Sequence, residues 1–521
     1  MKETKYPVDS ANFRKIREGK YVYVDKTIYI HKLIEKGSYY FLARPRRFGK
    51  SLFLDTLAEY FKGNRELFKG LEIDRLQPRE WETYPVLRFN LSSQDYLQKE
   101  TLYAHLAEKI RNCEIEFNLP SSPNDTTISD RFYNLLRSLA KVADKRVVIL
   151  IDEYDAPLSA TIGKPELQEI YREQLQGFYS VLKAAEEFIQ FCFLTGVTRY
   201  GKVSVFSGLN NLNDITFSDE YAAICGITND ELHHYYQQGV LKLSQKLQIT
   251  TRKTFDILKF HYDGYHFSES MVDIYNPFSI NYAMFNSKIE DYWCQSGVPT
   301  ILSKSILKND FDISRLKGMK VDKAALSDLS IHAVNPVPLF YQTGYVTLKD
   351  YEARRQRFTI GYPNREVESS ILNNILNVYI PTTSDKRNLI YDMEDVLEEG
   401  NTKEFIKILS SFLSSVPNQL HKYVDKYENY YHTIFYCLTT LIGLDVEAEY
   451  STSEGFIDLL IKTKHYIYII ELKVNGTAED AIRQIEEKHY AAPFASDSRQ
   501  LIKIGIGFST ETHSILSYLV C

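Results

Sequence analysis

Short apolar runs alternate with helical patterns over residues 1 to about 220. Strand-like runs lie at 41–43, 86–91, 147–151 and 191–194, and helical periodicity occupies 52–62, 97–117, 129–144 and 166–188. Continuous apolar strands separated by helices are typical of a parallel sheet that helices cover on both faces. The pattern therefore predicts an α/β domain in this part of the chain.

The pattern changes after residue 220. Residues 221–330 carry mostly helical periodicity with no strand-like run of any length. Residues 331–385 predict a helix followed by a hairpin with an arginine-rich tip, an order that resembles a winged-helix unit. Residues 386–521 begin with helical patterns and then mix strands with helices, which predicts a further α/β domain. A chain of 521 residues is long enough for several domains.

A basic loop joins the first predicted strand to the helix after it. In loops that bind phosphate, N–H groups at a helix N-terminus face the anion, a lysine neutralises it and a serine holds Mg²⁺. Gly49, Lys50 and Ser51 fit this pattern, but Arg44 occupies the place of the usual first glycine. From these residues alone two interpretations stay open: a variant nucleotide site and a basic turn.

Polar residues follow two further predicted strands. Asp152 and Glu153 end the apolar run that begins at Val147, and the run at 191–194 leads into a polar segment that ends at Arg199. The carboxyl ends of parallel strands meet at one edge of a sheet. Asp152 is expected to hold Mg²⁺, Glu153 to orient or deprotonate the attacking water, and Arg199 to neutralise phosphate charge. With the basic loop, they predict ATP and Mg²⁺ as cofactors.

Two strand patterns near the C-terminus are joined by a four-residue loop. Phe456–Lys462 and Ile467–Lys473 are apolar runs that acids interrupt. If the last residue of the first strand pairs with the first residue of the second, Asp458 lies directly opposite Glu471. Directly opposed residues have Cβ atoms ~4.5–5.5 Å apart, close enough for two carboxylates to share a divalent ion.

This hairpin predicts metal-dependent phosphodiester hydrolysis. Lys473 lies two residues beyond Glu471 and therefore on the same face, and a helical pattern over 478–491 presents Gln484 and Tyr490. Carboxylates can hold Mg²⁺, while a cation steers water and offsets charge in the transition state. A solvated hairpin is the alternative interpretation. Strands that are apolar on both faces are buried, however, and a buried acid needs a partner such as a metal.

Composition narrows the functional classes. The net charge is −6, from 62 Lys and Arg against 68 Asp and Glu, so nucleic-acid binding would need a local basic face. The six cysteines are scattered and form no C-x-x-C pair, which favours reduced thiols. No apolar signal region and no run of ~18 apolar residues is found. We expect a cytoplasmic protein with no membrane partner.

Together these motifs resemble a bacterial family that joins an AAA-ATPase-like N-terminal region to a C-terminal nuclease of the PD-(D/E)XK superfamily. The resemblance covers nearly the whole length. That family shows the arginine-bearing loop in place of the standard glycine, so nucleotide binding becomes the expected function of the loop. The residues that carry the resemblance are Tyr23–Thr27, Arg44–Leu52, Ile151–Pro157, Leu194–Arg199, Tyr262–Tyr265, Tyr275–Phe278, Gln342–Tyr345, Pro363–Val367, Asp458, Ile470–Lys473 and Gln484.

The resemblance implies roles for individual residues. The nucleotide-binding and hydrolysing positions map onto Lys50, Ser51, Asp152 and Glu153, and the nuclease core maps onto Asp458, Glu471, Lys473 and Gln484. A further acidic position on the first helix of such nucleases corresponds to Glu428. Relatives usually carry arginine two residues before the motif aspartate, where this chain has Phe456. Arg44, Arg46 and Arg47 are expected to act as cations that contact phosphate in place of glycine amides.

The predicted organisation has four parts. They are an AAA-ATPase-like P-loop domain at 1–220, a helical lid region at 221–330, a winged-helix-like region at 331–385, and a PD-(D/E)XK nuclease-like domain with leading helices and a restriction-endonuclease-like α/β fold at 386–521. The predicted function is ATP binding and hydrolysis coupled to a Mg²⁺-dependent nuclease, with DNA as the expected substrate and a second copy of the chain as a further candidate partner. The alternative is a nucleotide-dependent switch whose nuclease-like domain binds nucleic acid without cleaving it.

Overall fold

The computed structural model describes residues 4–78, 81–120, 127–200, 205–206, 209–293, 311, 313–327, 335–379, 386–414, 434, 436–438, 440–441, 444–509, 511–512 and 514–521. Two compact units are present. The first comprises Met1–Gln295 with Lys320–Glu366, and the second comprises Ser296–Met319 with Val367–Cys521. The four-part organisation drawn from the sequence stays a prediction.

The first unit is built on a five-stranded parallel sheet. Its strands are β1 (Tyr39–Ala43), β2 (Val86–Asn90), β3 (Val147–Asp152), β4 (Ile189–Gly196) and β5 (Asn213–Asp214), in the order β2-β3-β4-β1-β5. All five residues of β1 and all six of β3 are buried, as the apolar runs predict. Because β4 lies between β1 and β3, the residues that follow these three strands meet at one edge.

Amphipathic helices flank this sheet. Helix Ile128–Ala143 is typical: the Thr127 side chain accepts a hydrogen bond from the backbone N–H of Asp130, and Phe132, Leu136 and Leu139 are buried on one face. The α-helices of this region are Phe13–Glu18, Ile28–Lys36, Lys50–Phe61, Glu72–Leu76, Thr101–Glu116, Ile128–Ala143, Ala156–Ala160 and Pro165–Ala184. The predicted α/β architecture is confirmed.

Helices also dominate the section that follows. They are Asn229–Tyr235, Gln237–Leu247, Thr251–Tyr262, Pro277–Asn286, Lys323–Ser327 and Val337–Thr343. The predicted hairpin forms from β9 (Thr347–Glu352) and β10 (Arg357–Gly361). Three short strands were missed, namely β6 (Ile227–Thr228), β7 (Ile274–Tyr275) and β8 (Lys320–Asp322). Strands of two or three residues are too short to leave an alternating pattern, and only their distant partners define them.

The second unit contains a mixed five-stranded sheet. The strands β11 (Asp445–Ser451), β12 (Phe456–Lys462), β13 (Tyr466–Val474), β14 (Gln500–Ser509) and β15 (Ser514–Val520) lie in sequence order, and β13 and β14 form the parallel pair. Helix Ala478–Glu487 makes the crossover that a parallel pair requires. The remaining α-helices are Arg365–Tyr379, Lys386–Glu398 and Thr402–Ser414. The predicted second α/β fold is confirmed.

Several single turns of 3₁₀ helix complete the described elements: Arg65–Phe68, Glu186–Phe188, Asp219–Tyr221, Ile313–Leu316 and Ala492–Phe494. Over the described ranges, no helix combines the length and the apolar character that a membrane crossing needs.

Candidate active sites

The loop after β1 leads into the N-terminus of helix Lys50–Phe61. Gly49 is the residue before the helix and has φ +94°, a left-handed conformation that glycine adopts without strain. The helix start has no hydrogen bond from a capping side chain. Its first N–H groups can therefore receive an anion, and Ser51 lies in this first turn.

Lys50 is held under the loop. Its Nζ donates hydrogen bonds to the carbonyl oxygens of Arg44, at 2.8 Å, and Pro45, at 2.9 Å. Burial lowers the pKa of Lys50, while the negative charge of Asp152 acts in the opposite direction. An anion on the loop would offset the cost of this buried cation, which makes Lys50 a suitable phosphate ligand.

Arg44 faces the interior. The side chain is almost fully buried, and its guanidinium donates to the carbonyl oxygens of Ala43 at 2.9 Å, Thr216 at 2.8 Å and Tyr221 at 3.2 Å. It also lies 4.3 Å from the ring centroid of Phe267. The residue that replaces the usual glycine thus supports the loop from beneath. Because it is buried and both its terminal nitrogens donate to carbonyl oxygens, the phosphate contact expected of Arg44 does not fit the structure.

The two other arginines of the loop differ from each other. Arg46 is exposed, and its positive charge opposes the net rise in the pKa of Glu153 that burial and the charge of Asp152 cause. Arg47 has φ +68°, and its guanidinium lies 3.9 Å from the ring centroid of Phe278 and donates to the carbonyl oxygen of Trp293 at 3.0 Å. Arg46 is therefore the better placed of the two for a phosphate contact.

Asp152 and Glu153 lie at the end of β3, as predicted. The hydroxyl of Thr195, on the neighbouring β4, donates to Oδ1 of Asp152 at 2.6 Å and fixes that carboxylate. Glu153 has φ +51°, an uncommon conformation for a non-glycine residue. Burial raises the pKa of Glu153, and the charge of Asp152 raises it further. Sequence reasoning placed Thr195 only in a polar segment and did not assign it this contact.

Arg199 follows β4 but is paired. Its guanidinium lies 2.7 Å from Oδ2 of Asp214 on β5, and its backbone N–H donates to Oε1 of Gln342 at 2.7 Å. A phosphate contact by Arg199 would have to compete with Asp214. The sequence between Arg199 and Asp214 has no helical or strand periodicity. It therefore gave no indication that these two residues form an ion pair.

A small cavity of about 70 Å³ lies next to Gly49. Tyr23, Phe48, Leu52 and Cys225 contribute to its mainly apolar wall, and the cavity is also lined by Asn281. The hydroxyl of Tyr236 donates to Oδ1 of Asn281 at 2.9 Å and holds this amide. An apolar wall with one oriented amide suits a planar heterocycle. Sequence reasoning missed this cavity because several segments that are distant along the chain form it.

The second site lies on β12 and β13. Lys462 pairs with Ile467, and the pairs continue to Leu459 with Ile470, so the predicted register is confirmed. One further step along this register brings Asp458 beside the position of Glu471. The carboxylate of Asp458 also accepts a hydrogen bond from the backbone N–H of Leu472, at 2.8 Å between N and Oδ2.

Glu471, Lys473 and Gln484 form one hydrogen-bonded group. Nζ of Lys473 lies 3.1 Å from Oε1 of Glu471 and 2.6 Å from Oε1 of Gln484. The amide nitrogen of Gln484 donates to the same Oε1 of Glu471. Gln484 comes from the crossover helix, whose start is fixed by a reciprocal capping box between Thr477 and Asp480. The structure thus brings together the four predicted nuclease residues.

The second oxygen of Glu471 is left without a partner. The residue is 1% exposed, and its Oε2 is buried with no hydrogen bond to any described residue. Burial raises the pKa of Glu471 and the charge of Asp458 raises it further, while Lys473 and a backbone hydrogen bond from Asp458 act in the opposite direction. A buried, unpaired carboxylate oxygen beside a second carboxylate fits a divalent cation, because the cation compensates both charges.

Comparison with known proteins finds a family match in each half of the chain. The family described as "Predicted AAA-ATPase" matches residues 7–206, and the PD-(D/E)XK nuclease superfamily matches residues 426–518. A protein of Azotobacter chroococcum mcd 1, described as "Uncharacterized protein in vnfD 5'region", is 32% identical over 529 residues, covering 100% of this chain and 99% of that protein. The chain belongs to the AAA-ATPase-like family with a C-terminal PD-(D/E)XK nuclease domain.

Within this AAA-ATPase-like family member, the nuclease face has one departure from the expected pattern. Phe456 stands where the resemblance led us to expect arginine, and it is 60% exposed. Tyr490 follows the crossover helix, which ends at Glu487, and its hydroxyl lies 3.4 Å from the amide nitrogen of Gln484. The additional acid predicted at Glu428 lies outside the described residues.

Proposed function

We propose that the protein binds and hydrolyses ATP and that its nucleotide state controls a Mg²⁺-dependent nuclease that acts on DNA. The observation that carries the nuclease assignment is the buried carboxylate of Glu471, whose Oε1 accepts from Lys473 and Gln484 and whose Oε2 has no hydrogen-bond partner among the described residues. Most buried polar groups have a hydrogen-bond partner, so this oxygen is a candidate metal ligand.

At the nucleotide site, each residue has a separate task. Lys50 and the first N–H groups of its helix bind the phosphates, while Ser51 and Asp152 hold Mg²⁺. Glu153 accepts a proton from the attacking water. Its raised pKa suits this role because a general base works best when its pKa approaches the working pH. The cavity beside Gly49 would receive the base of the nucleotide.

At the nuclease site, Asp458 and Glu471 would hold Mg²⁺ through their carboxylate oxygens. The ion supplies positive charge to the scissile phosphate and lowers the pKa of a water molecule. Lys473 faces the same group and offsets the charge that develops on the phosphate. Gln484 accepts a hydrogen bond from Lys473 and donates one to Glu471, which fixes the position of both side chains.

The nuclease assignment can be tested by cleavage of linear and plasmid DNA with and without Mg²⁺. Wild-type protein should cleave, and both Asp458→Ala and Lys473→Met should lose at least two orders of magnitude in rate, as expected for groups that bind the metal or stabilise transition-state charge. Lys464→Met is the matched control, because Lys464 is exposed in the loop of the same hairpin. Equal cleavage by all four proteins would contradict the assignment.

The ATPase assignment needs binding and turnover to be measured separately. Lys50→Ala should abolish nucleotide binding, whereas Glu153→Gln should retain binding and block turnover. Lys62→Ala makes the same change at the exposed C-cap of the same helix and should behave as wild type. Normal turnover in both site variants would refute the proposal.

The second candidate is a nucleotide-dependent switch that binds nucleic acid without cutting it. Two features favour it. Phe456 replaces an arginine near the carboxylates, and residues 367–521 contain 22 Asp and Glu against 13 Lys and Arg, a balance of −9. An acidic surface attracts nucleic acid weakly. Metal-dependent binding by wild-type protein, with no cleavage of any DNA or RNA tested, would select this function.

A further inference from the structure

We propose that Trp293 is a positioning residue for the phosphate-binding loop and that Glu366 holds it in place. The inference rests on nucleotide binding at this loop, as proposed above. It also gives a role to two motifs that the proposed catalytic groups leave unexplained, Tyr275–Phe278 and Pro363–Val367.

Trp293 contacts the backbone of the loop and one of its arginines. Its indole N–H donates to the carbonyl oxygen of Arg46 at 3.2 Å, and its own carbonyl oxygen accepts from the guanidinium of Arg47 at 3.0 Å. The ring is 6% exposed and packs against Tyr345, with 5.1 Å between ring centroids. One residue thus fixes a carbonyl of the loop and the direction of a neighbouring side chain.

Glu366 fixes Trp293 in turn. It is fully buried, and its Oε1 accepts from the backbone N–H of Trp293 at 2.6 Å. Its Oε2 accepts from the hydroxyl of Ser279 at 2.7 Å. Ser279 follows Phe278, the ring beneath the guanidinium of Arg47. Both supports of Arg47, the Trp293 carbonyl and the Phe278 ring, are therefore joined through one carboxylate.

The contact of Trp293 with the loop is placed where it can affect nucleotide affinity. Arg46 and Arg47 lie between Arg44, which is anchored in the interior, and Gly49, the residue before the helix. The peptide groups between these two points determine where N–H donors and the Arg46 side chain meet a phosphate. A loop already held in its binding conformation loses less entropy on binding, so release of the Trp293 contact should weaken nucleotide affinity.

The chain contains two tryptophans, which permits a direct readout. In a Trp81→Phe background, Trp293 is the sole emitter, and addition of a non-hydrolysable ATP analogue should change its emission. By calorimetry, Trp293→Phe should raise the Kd of this analogue about threefold to tenfold, the range for loss of one hydrogen bond. Trp81→Phe also removes an indole hydrogen bond, to the carbonyl of Gln77, and should leave the Kd unchanged.

Glu366 provides a second, independent test. Glu366→Gln keeps an acceptor for the Trp293 N–H and should retain wild-type affinity, whereas Glu366→Ala should weaken it at least as much as Trp293→Phe. If Glu366→Ala fails to fold, the Kd of Trp293→Phe and the emission of Trp293 still test the role of Trp293. Nucleotide binding by wild-type protein with unchanged Trp293 emission and an unchanged Kd in Trp293→Phe would overturn the inference alone. Failure of wild-type protein to bind nucleotide would overturn both the inference and the proposed nucleotide site.

Discussion

Replacement of Arg44 by glycine restores the residue that phosphate-binding loops usually have at this place. The sequence pattern alone would suggest that Arg44→Gly improves nucleotide binding. The structure predicts the opposite, because Arg44 is 1% exposed and its guanidinium satisfies the carbonyl oxygens of Thr216 and Tyr221 in the interior. Its removal leaves these acceptors without their donor and opens a cavity beside Phe267.

The expected loss of stability follows from these contacts. An orphaned buried acceptor costs about 1–3 kcal/mol, and loss of the packed side chain adds to this cost. Burial also lowers the pKa of Arg44, which shows that the buried cation is itself penalised, and its removal returns part of the loss. The net expectation is a loss of about 3–5 kcal/mol in the free energy of unfolding of the first unit.

Urea unfolding monitored by tryptophan fluorescence measures this quantity. The two tryptophans, Trp81 and Trp293, lie in the first unit and report on it alone. With a slope of roughly 3 kcal/mol per molar urea or more, Arg44→Gly should lower the midpoint by on the order of 1 M. Binding of a fluorescent ATP analogue, measured without urea, should also weaken.

The matched control is Arg46→Gly, the same change at an exposed position of the same loop. Arg46→Gly should change the free energy of unfolding by no more than ~1 kcal/mol, the effect of a glycine in a loop. It should also lower nucleotide affinity. The contrast separates the structural arginine from the candidate phosphate ligand. An Arg44→Gly protein as stable as wild type that binds nucleotide equally well or more tightly would refute the reasoning.

Three further predictions concern single groups. Thr195→Val removes the hydroxyl that donates to Asp152 and should slow ATP hydrolysis about fivefold to tenfold, the effect of one hydrogen bond, with nucleotide binding retained; an unchanged turnover number would contradict this role. Because the pKa of Glu471 is raised, protons compete with Mg²⁺ for this carboxylate. The Mg²⁺ affinity measured by calorimetry should therefore increase as the pH rises from the range in which ordinary carboxyls titrate towards neutral pH. An affinity that does not depend on pH would exclude Glu471 as a ligand. Phe456→Arg adds a cation beside the metal site and should tighten DNA binding in a filter assay, with a steeper salt dependence than wild type; identical salt slopes would count against contact with phosphate.

Sequence periodicity determined the elements and their chemistry where the signal was local. The apolar runs at β1 and β3 predicted buried parallel strands, and the acids at the end of β3 followed from the end of its run. The β12–β13 register followed from loop length and the two-residue period of a strand, so Asp458 and Glu471 were matched without a structure. These features depend on neighbours within a few residues or across one short hairpin.

Tertiary structure decided which charged side chains of the loop remain available to contact a ligand. Three arginines of one loop look equivalent in the sequence, yet Arg44 is buried, Arg47 is held by Trp293, and Arg46 is exposed. The partners that separate them, among them Thr216 and Trp293, lie more than 160 residues away along the chain. Local patterns contain no information on such contacts, because a side chain's burial and hydrogen-bond partners depend on segments that only the folded chain brings together.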